Sequence, residues 1–374
     1  MIIGIPKEIK PEETRVALVP HNVPKLIEAG HRILVQSGAG SLAGFPDDAY
    51  RREGAEILFL ADDVWEQSEL IWKIKEPQVT EEKYLRNGLI LFSYLHLESR
   101  GDLVSKMQET NVIAIAMEKV EADDGTHVLY PPMSEITGRL AVIKGANLLL
   151  HTSGGSGVLL GAVPHMKPGK VLIIGGGSVG SSAAATAAGL GAEVLVYDIN
   201  PNRVRLLNNL MPSNVTAVLS SHESIEKEML DTDLVIGAVL ISRKTDPHII
   251  TREMVEKMKP GSVIVDTTVG FGGYIETSTK ATTPSDPVYR VHDVIHYSVP
   301  NMPAEVPQTA SIAFSDETLP YGLELAGKGI VQALRENTAL RRGVNVMAGQ
   351  VTYGLIAETF KKPLADIEKI LVSQ

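Results

Sequence analysis

The sequence predicts an α/β fold of two parallel-sheet domains, one inserted into the other, and three observations carry that prediction. Residues 170–198, KVLIIGGGSVGSSAAATAAGLGAEVLVYD, read in order as an apolar strand, a glycine turn, a helix of small residues and a second apolar strand. Along the rest of the chain, short apolar runs alternate with helix-length segments, the pattern that crossover helices on a parallel sheet produce. A length of 374 residues exceeds what one ordinary core accommodates, which argues for two domains.

Taken in order, residues 2–5 form a short strand, followed by the charged loop PKEIKPEETR. Asn22 caps a helix that runs to Ala29 and stops at Gly30. Residues 32–35 and Ile57 are strand positions on either side of a glycine-rich loop. Residues 70–75, LIWKIK, alternate by the strand rule, which puts Lys73 and Lys75 on one face and Trp72 and Ile74 on the other. Residues 89–93 make a buried run with Tyr94 and His96 at its carboxyl end, and 111–116 a further strand before the acidic run EKVEADDG.

Pro131 and Pro132 mark a boundary, after which Ser134 caps a helix over 135–150 whose Ile136, Leu140, Ile143 and Leu148 recur at helical spacing. Beyond the glycine turn, strands recur at 215–219, 234–237 and 262–266, with a last strand region at 288–297. The helical segments after Leu319 fall outside that pattern, so the chain returns there to the first domain. The expected division is 1–132 with 304–374, and 133–303 as the insertion.

The glycine turn states its own chemistry. In Gly175, Gly177 and Gly180 the first glycine permits a tight turn, the second lets a pyrophosphate approach the backbone, and the third lets helix and sheet pack closely. Ser178 leads into a helix from Val179 to about Ala188 whose free amides and dipole suit a phosphate. Asp198 ends the second strand 18 residues after Gly180, where a carboxylate hydrogen-bonds an adenosine ribose and repels a 2′-phosphate. Strand, turn, helix, strand and acid in register predict a Rossmann domain binding NAD. Arg203 and Arg205 either leave NADP use open or form a solvated helix face.

Composition removes other classes. The formal net charge of −10 argues against a nucleic-acid surface, and the absence of cysteine removes thiolate nucleophiles, disulfides and thiolate metal sites. The first residues carry charges where a signal peptide needs an apolar centre, and no run of about 18 apolar residues spans a bilayer. The expectation is a cytoplasmic protein without a membrane or nucleic-acid partner. Neither an H-E-x-x-H nor an EF-hand loop occurs, and the acidic pairs are adjacent rather than spaced for one ligand face. No metal is expected.

A nicotinamide enzyme acting on a small acid needs a cation for the carboxylate, a donor for the carbonyl or imine, and a proton carrier. Arg15 is either that clamp or a surface salt-bridge partner. Lys75 lies at a strand end, the ligand rim of an open α/β sheet, with Lys73 as its competitor; both are otherwise solvated. His96 is either a proton carrier or a structural histidine.

Taken together, IGIPKEIKPEETRVALVP, IWKIKEPQ, SYLHLE, PPMSEITGRLA, GGGSVG with VYDIN, and HYSVPNMPAEVPQTAS resemble the alanine dehydrogenase members of the alanine dehydrogenase and transhydrogenase superfamily. The resemblance runs in family order from residue 2 into the C-terminal helices. It implies reversible NAD-dependent deamination of L-alanine to pyruvate and ammonia. By motif position it implies that Arg15 binds the substrate carboxylate, Lys75 the carbonyl oxygen, and His96 acts as general acid and base, with Tyr94 and Met133 lining the pocket. Ser134, Asp198, Val239 and Asn301 would hold cofactor, Asn301 also meeting substrate near the nicotinamide. Family members are commonly homohexamers.

One departure stands out. After VIVD the family reads a few small residues and then Asp-Gln-Gly-Gly, whereas this chain reads TTVGFGGYIETS, with Gly270 and Phe271 in place of Asp-Gln. The family uses that aspartate beside the histidine. Its loss leaves two alternatives to an alanine enzyme, a dehydrogenase for another 2-amino or 2-imino acid or a catalytically silent NAD-binding protein, and the shared fold and RVAL-like start leave a third, a transhydrogenase NAD-binding component.

Overall fold

The computed structural model describes residues 1–239, 248–269 and 273–373. Gly270 and Phe271 lie outside the described residues. The chain divides into two compact units, Met1–Met133 with Ala304–Gln374, and Ser134–Pro303. Met133 therefore belongs with the first unit, not at the start of the second.

The first unit opens with six parallel strands: β1 (Ile2–Ile5), β2 (Arg32–Gln36), β3 (Glu56–Leu58), β4 (Leu70–Trp72), β5 (Ile90–Ser93) and β6 (Ile113–Ala116). They lie in the order β3-β2-β1-β4-β5-β6, so the sheet reverses direction of growth between β1 and β4. β4 is three residues long, and the alternation expected through Lys75 stops at Trp72. Asn22 does not cap the helix Val23–Glu28 through its side chain. Its amide instead donates to Ser315 Oγ at 2.9 Å and to Asp316 at 2.7 Å, a tertiary use that local sequence does not reveal.

Helix α1 (Pro131–Leu148) carries the chain into the second unit. The two prolines begin this helix instead of bounding it, since a first turn has no need of their missing N–H groups, and Ser134 lies inside the helix instead of at its cap. Ile136 and Leu140 are buried, but Ile143 is exposed. The second sheet contains β7 (Lys170–Ile174), β8 (Glu193–Asp198), β9 (Val215–Leu219), β10 (Leu234–Gly237), β11 (Val263–Asp266) and the hairpin β12 (Val288–Val291) with β13 (Val294–Tyr297). Its order is β9-β8-β7-β10-β11-β13-β12, parallel apart from β12. The run expected as one strand region at 288–297 thus folds back on itself. Helix α2 (Ser178–Gly189) follows β7.

The chain then returns to the first unit through helix α3 (Pro307–Lys328) and adds two antiparallel strands that the sequence pattern misses, β14 (Val344–Met347) and β15 (Gln350–Val351), beyond β6. Both sheets share one doubly wound order, three strands growing one way from the first and three the other. Two Rossmann-like domains follow, without internal sequence repetition. In the first, β4 and β5 feed a core around Ile71, Leu91, Leu95, Leu103 and Val104, all fully buried. The loop after β1 is pinned to α3, where Ser311 Oγ accepts from Val16 N–H at 3.0 Å and Ser315 Oγ from Val19 N–H at 3.2 Å. No helix among the described residues is long and apolar enough to cross a membrane.

Candidate active site

Arg15, Lys75 and His96 follow the carboxyl ends of β1, β4 and β5, three neighbouring strands on both sides of the reversal between β1 and β4. That crevice is where open α/β sheets bind ligands. Buried glutamates support all three segments: Glu13 pairs with the Arg15 side chain, Glu118 holds the His96 peptide, and Glu8 holds the backbone beside Lys75.

For Arg15 the partner is Glu13. Its carboxylate takes Arg15 Nε at 2.7 Å and Nη2 at 2.6 Å, and accepts the Arg15 backbone N–H at 3.1 Å. Arg15 is 2% exposed, which removes the surface salt-bridge reading. Burial opposes its charge, but Glu13 outweighs burial and holds the guanidinium above its ordinary pKa. Because Glu13 grips one side of the fork, Nη1 turns toward Met133, whose sulfur lies 3.1 Å away.

Lys75 and Lys73 separate cleanly. Lys73 is fully buried between Glu81 at 2.7 Å and Glu8 at 3.3 Å, with its ammonium over the Trp65 ring, so it is a structural charge and not a solvated one. Lys75 is half-buried, and its ammonium has no ion pair among the described residues. Burial pushes it down to about 8, with the Arg15 and Lys10 charges adding to the effect and Glu13 and Glu76 opposing it. Glu8 holds the chain here: its Oε1 accepts Ile74 N–H at 2.6 Å and lies 3.4 Å from Lys75 N.

His96 sits in the left-handed backbone region with φ 44° and ψ 44°, uncommon for a side chain with a Cβ. Glu118 supports it, accepting Leu95 N–H at 3.1 Å and His96 N–H at 2.6 Å, with its Oε1 3.7 Å from the ring Nδ1. The ring is 29% exposed. Burial lowers its pKa, Glu118 works against that, and Lys75 adds to it. Tyr94 stacks beside it with ring centroids 6.2 Å apart, and is itself fixed by donating to Leu129 O at 2.6 Å and by an edge contact with Phe314. Arg15, Lys75, His96, Tyr94 and Met133 therefore belong to one charged, partly enclosed cluster. Glu8, Glu13, Glu81 and Glu118 were hidden from sequence patterning, since all four lie in runs that look solvated.

In the second unit the same crevice is made of backbone. Gly175 has φ 99°, and a Cβ there would stand 2.6 Å from Ala238 O; a Cβ on Gly180 would stand 1.8 Å from Gly175 O. Gly177 differs, because a Cβ on it meets nothing within 4 Å. The α2 N-terminus has no side-chain cap hydrogen bond, which leaves its first amides without a side-chain acceptor, as a phosphate site requires. Ser178 is exposed and Val179 half-buried at this end. Asp198 accepts Gly176 N–H at 2.7 Å on one oxygen and Asn200 N–H at 2.8 Å on the other, leaving lone pairs for a ribose hydroxyl. Arg203 donates to Gly176 O and to Ser181 Oγ, so it braces the turn, while Arg205 is exposed as a helix-face residue. Val239 follows β10 across the reversal from β7, Ser134 lies in the first turns of α1, and Asn301, with φ 59°, follows β13. These features fit a dinucleotide.

Residues 4–137 match the alanine dehydrogenase/PNT N-terminal domain and residues 141–354 its C-terminal domain. The chain belongs to the alanine dehydrogenase/PNT family. Among its relatives in this family, the alanine dehydrogenase of Bacillus subtilis (strain 168) is 46% identical over 371 residues, covering 99% of this chain and 98% of the relative. A solved structure of an L-alanine dehydrogenase superposes with a TM-score of 0.92 at 43% identity, covering 96% of this chain and 99% of that one. The family's other branch is also close: a transhydrogenase from Sinorhizobium meliloti aligns at a TM-score of 0.79 and 25% identity, over 94% of this chain and 99% of that one.

Proposed function

We propose that this protein catalyses the reversible NAD-dependent oxidative deamination of L-alanine to pyruvate and ammonia. The observation that carries the reading is the convergence of Arg15, Lys75 and His96 on one crevice, with buried glutamates holding the Arg15 side chain and the backbone at Lys75 and His96, in a chain 46% identical to an alanine dehydrogenase along nearly its whole length. The first unit is the substrate domain and the second the cofactor domain. Gly175, Gly177, Ser178, Val179 and Gly180 would receive the pyrophosphate, Asp198 with Arg203 the adenosine ribose, and Ser134, Val239 and Asn301 the remainder of the cofactor.

Bound NAD supplies the acceptor for the hydride that leaves the substrate Cα. The outer edge of Arg15, whose inner side is held by Glu13, binds the substrate carboxylate, and Met133 and Tyr94 confine a small side chain. Neutral His96 takes a proton from the water that adds to the imine carbon, and the resulting imidazolium returns it to the nitrogen; the C–N bond then breaks, ammonia leaves, and the again neutral His96 accepts the hydroxyl proton as the oxygen becomes a carbonyl. Lys75 donates to the oxygen as it becomes the carbonyl of pyruvate. The low pKa of His96 keeps it in the basic form near neutrality, as water activation requires.

The expected assembly is a homohexamer and the expected location the cytoplasm, both on likeness to the family. A second reading rests on Gly270 and Phe271, which replace the family's Asp-Gln pair: a dehydrogenase for another 2-amino acid. NADH formation across a panel of amino acids, with the reverse reaction on 2-oxo acids plus ammonia, tests both. Alanine leading the panel supports the first reading; another amino acid leading it supports the second; no turnover on any member removes both.

A further inference from the structure

Glu118 lies on the turn Met117–Lys119 directly after β6 and is 3% exposed. Its two oxygens serve one task. Oε2 accepts the Leu95 N–H, and Oε1 accepts the His96 N–H while standing 3.7 Å from Nδ1 of the same residue. One carboxylate thus holds the left-handed peptide that presents His96 and stands close to Nδ1 of its ring, beyond hydrogen-bond distance but within reach of its charge. An imidazole edge facing a carboxylate carries its proton on that edge, which leaves the lone pair on Nε2.

The other charges facing His96 are already balanced or opposed. Glu98, on the turn Leu97–Ser99, is ion-paired with Lys119, and Glu76 with Lys10 at 2.6 Å. Lys75 faces the ring as a cation, and Tyr94 contributes a stacked, immobile ring. Glu118 has no lysine or arginine within ion-pair distance among the described residues; Lys119, which feels its charge, is itself ion-paired with Glu98. Resting on the reading of His96 as proton carrier, we propose that Glu118 is the positioning residue that fixes His96 as the Nδ1–H tautomer and sets its basicity.

The test uses full-length protein with ¹⁵N-labelled histidine, the His96 signals being assigned by their loss in His96→Gln. Wild-type His96 is expected as the Nδ1–H tautomer. In Glu118→Gln the tautomer preference is lost and the His96 midpoint falls by about one pH unit. The kcat/KM for amino-acid oxidation falls about 10–100-fold, and its acid limb moves to lower pH by the same unit, with NADH affinity unchanged within about twofold. Glu118→Asp, which keeps the charge, recovers most of the midpoint. An unchanged midpoint and tautomer in Glu118→Gln overturns the proposal, as does a Glu118→Asp variant that behaves like Gln. If wild type turns over no amino acid yet the His96 midpoint shifts as stated, the dehydrogenase reading falls and the Glu118 assignment stands.

Discussion

The two sheets have one strand order and the same crevice, between the first and fourth strands of each, yet they furnish it in opposite ways. In the first unit the crevice is lined by long basic side chains set among buried carboxylates, Glu13 on the Arg15 fork, Glu8 on the backbone beside Lys75 and Glu118 on the His96 peptide. In the second it is lined by glycines, and what faces the ligand is amide and empty space. The difference shows that a shared topology decides where a ligand goes and not what recognises it. Removing one partner of a buried ion pair such as Arg15–Glu13 costs about 3–5 kcal/mol, whereas adding a single methyl to the glycine crevice suffices to spoil it.

The largest expected effect isolates the charged crevice. His96→Ala should lower kcat by about 10²–10⁴-fold while NADH affinity, measured by fluorescence titration, stays near wild type. Persistence of turnover would make the histidine structural and the two crevices chemically less distinct than argued.

Next comes a contrast within the glycine crevice. Gly180→Ala places a methyl against Gly175 O and should lower stability by at least about 1–3 kcal/mol together with NADH binding. Gly177→Ala has room, so it should leave thermal unfolding unchanged and weaken NADH alone; equal losses in both variants would show that the open face is not a ligand face. A smaller effect is expected at Asp198→Ala, where the ratio of kcat/KM for NAD over NADP should fall about tenfold. An unchanged ratio moves ribose recognition elsewhere.

The smallest effect is a pH dependence. Lys75 donates only while protonated, and its pKa stands at about 8, so inhibition by a pyruvate analogue should weaken a few-fold as pH rises through about 8. Lys75→Arg should remove that inflection, because the guanidinium stays charged there.

What could be read in the sequence follows from where the determining contacts lie. The turn from Lys170 to Asp198 was legible because strand, glycines, helix and acid are consecutive, and each is needed for a local reason. Position alone brought Arg15, Lys75 and His96 under suspicion, but residue pattern left each with an ordinary alternative. The choice depends on partners that are remote or unremarkable: Glu118 lies 22 residues from His96, and Glu8 lies 66 from Ile74. Lys73 and Lys75 looked equivalent because alternation was carried past the end of β4, and only the Glu8–Lys73–Glu81 cluster separates them. The antiparallel pair β14 and β15 was missed for a similar reason, since its register is set by β6, more than two hundred residues earlier in the chain.

Asp198 and Arg203 grip the two backbone polar groups of a single residue, the amide and the carbonyl of Gly176, and so fix two successive peptide units. On the proposed reading, ribose recognition and the rigidity of the glycine turn therefore rest on the same two side chains. An engineer who swaps the acid to admit a 2′-phosphate must also furnish a new acceptor for that N–H, or the altered enzyme will lose its grip on either dinucleotide.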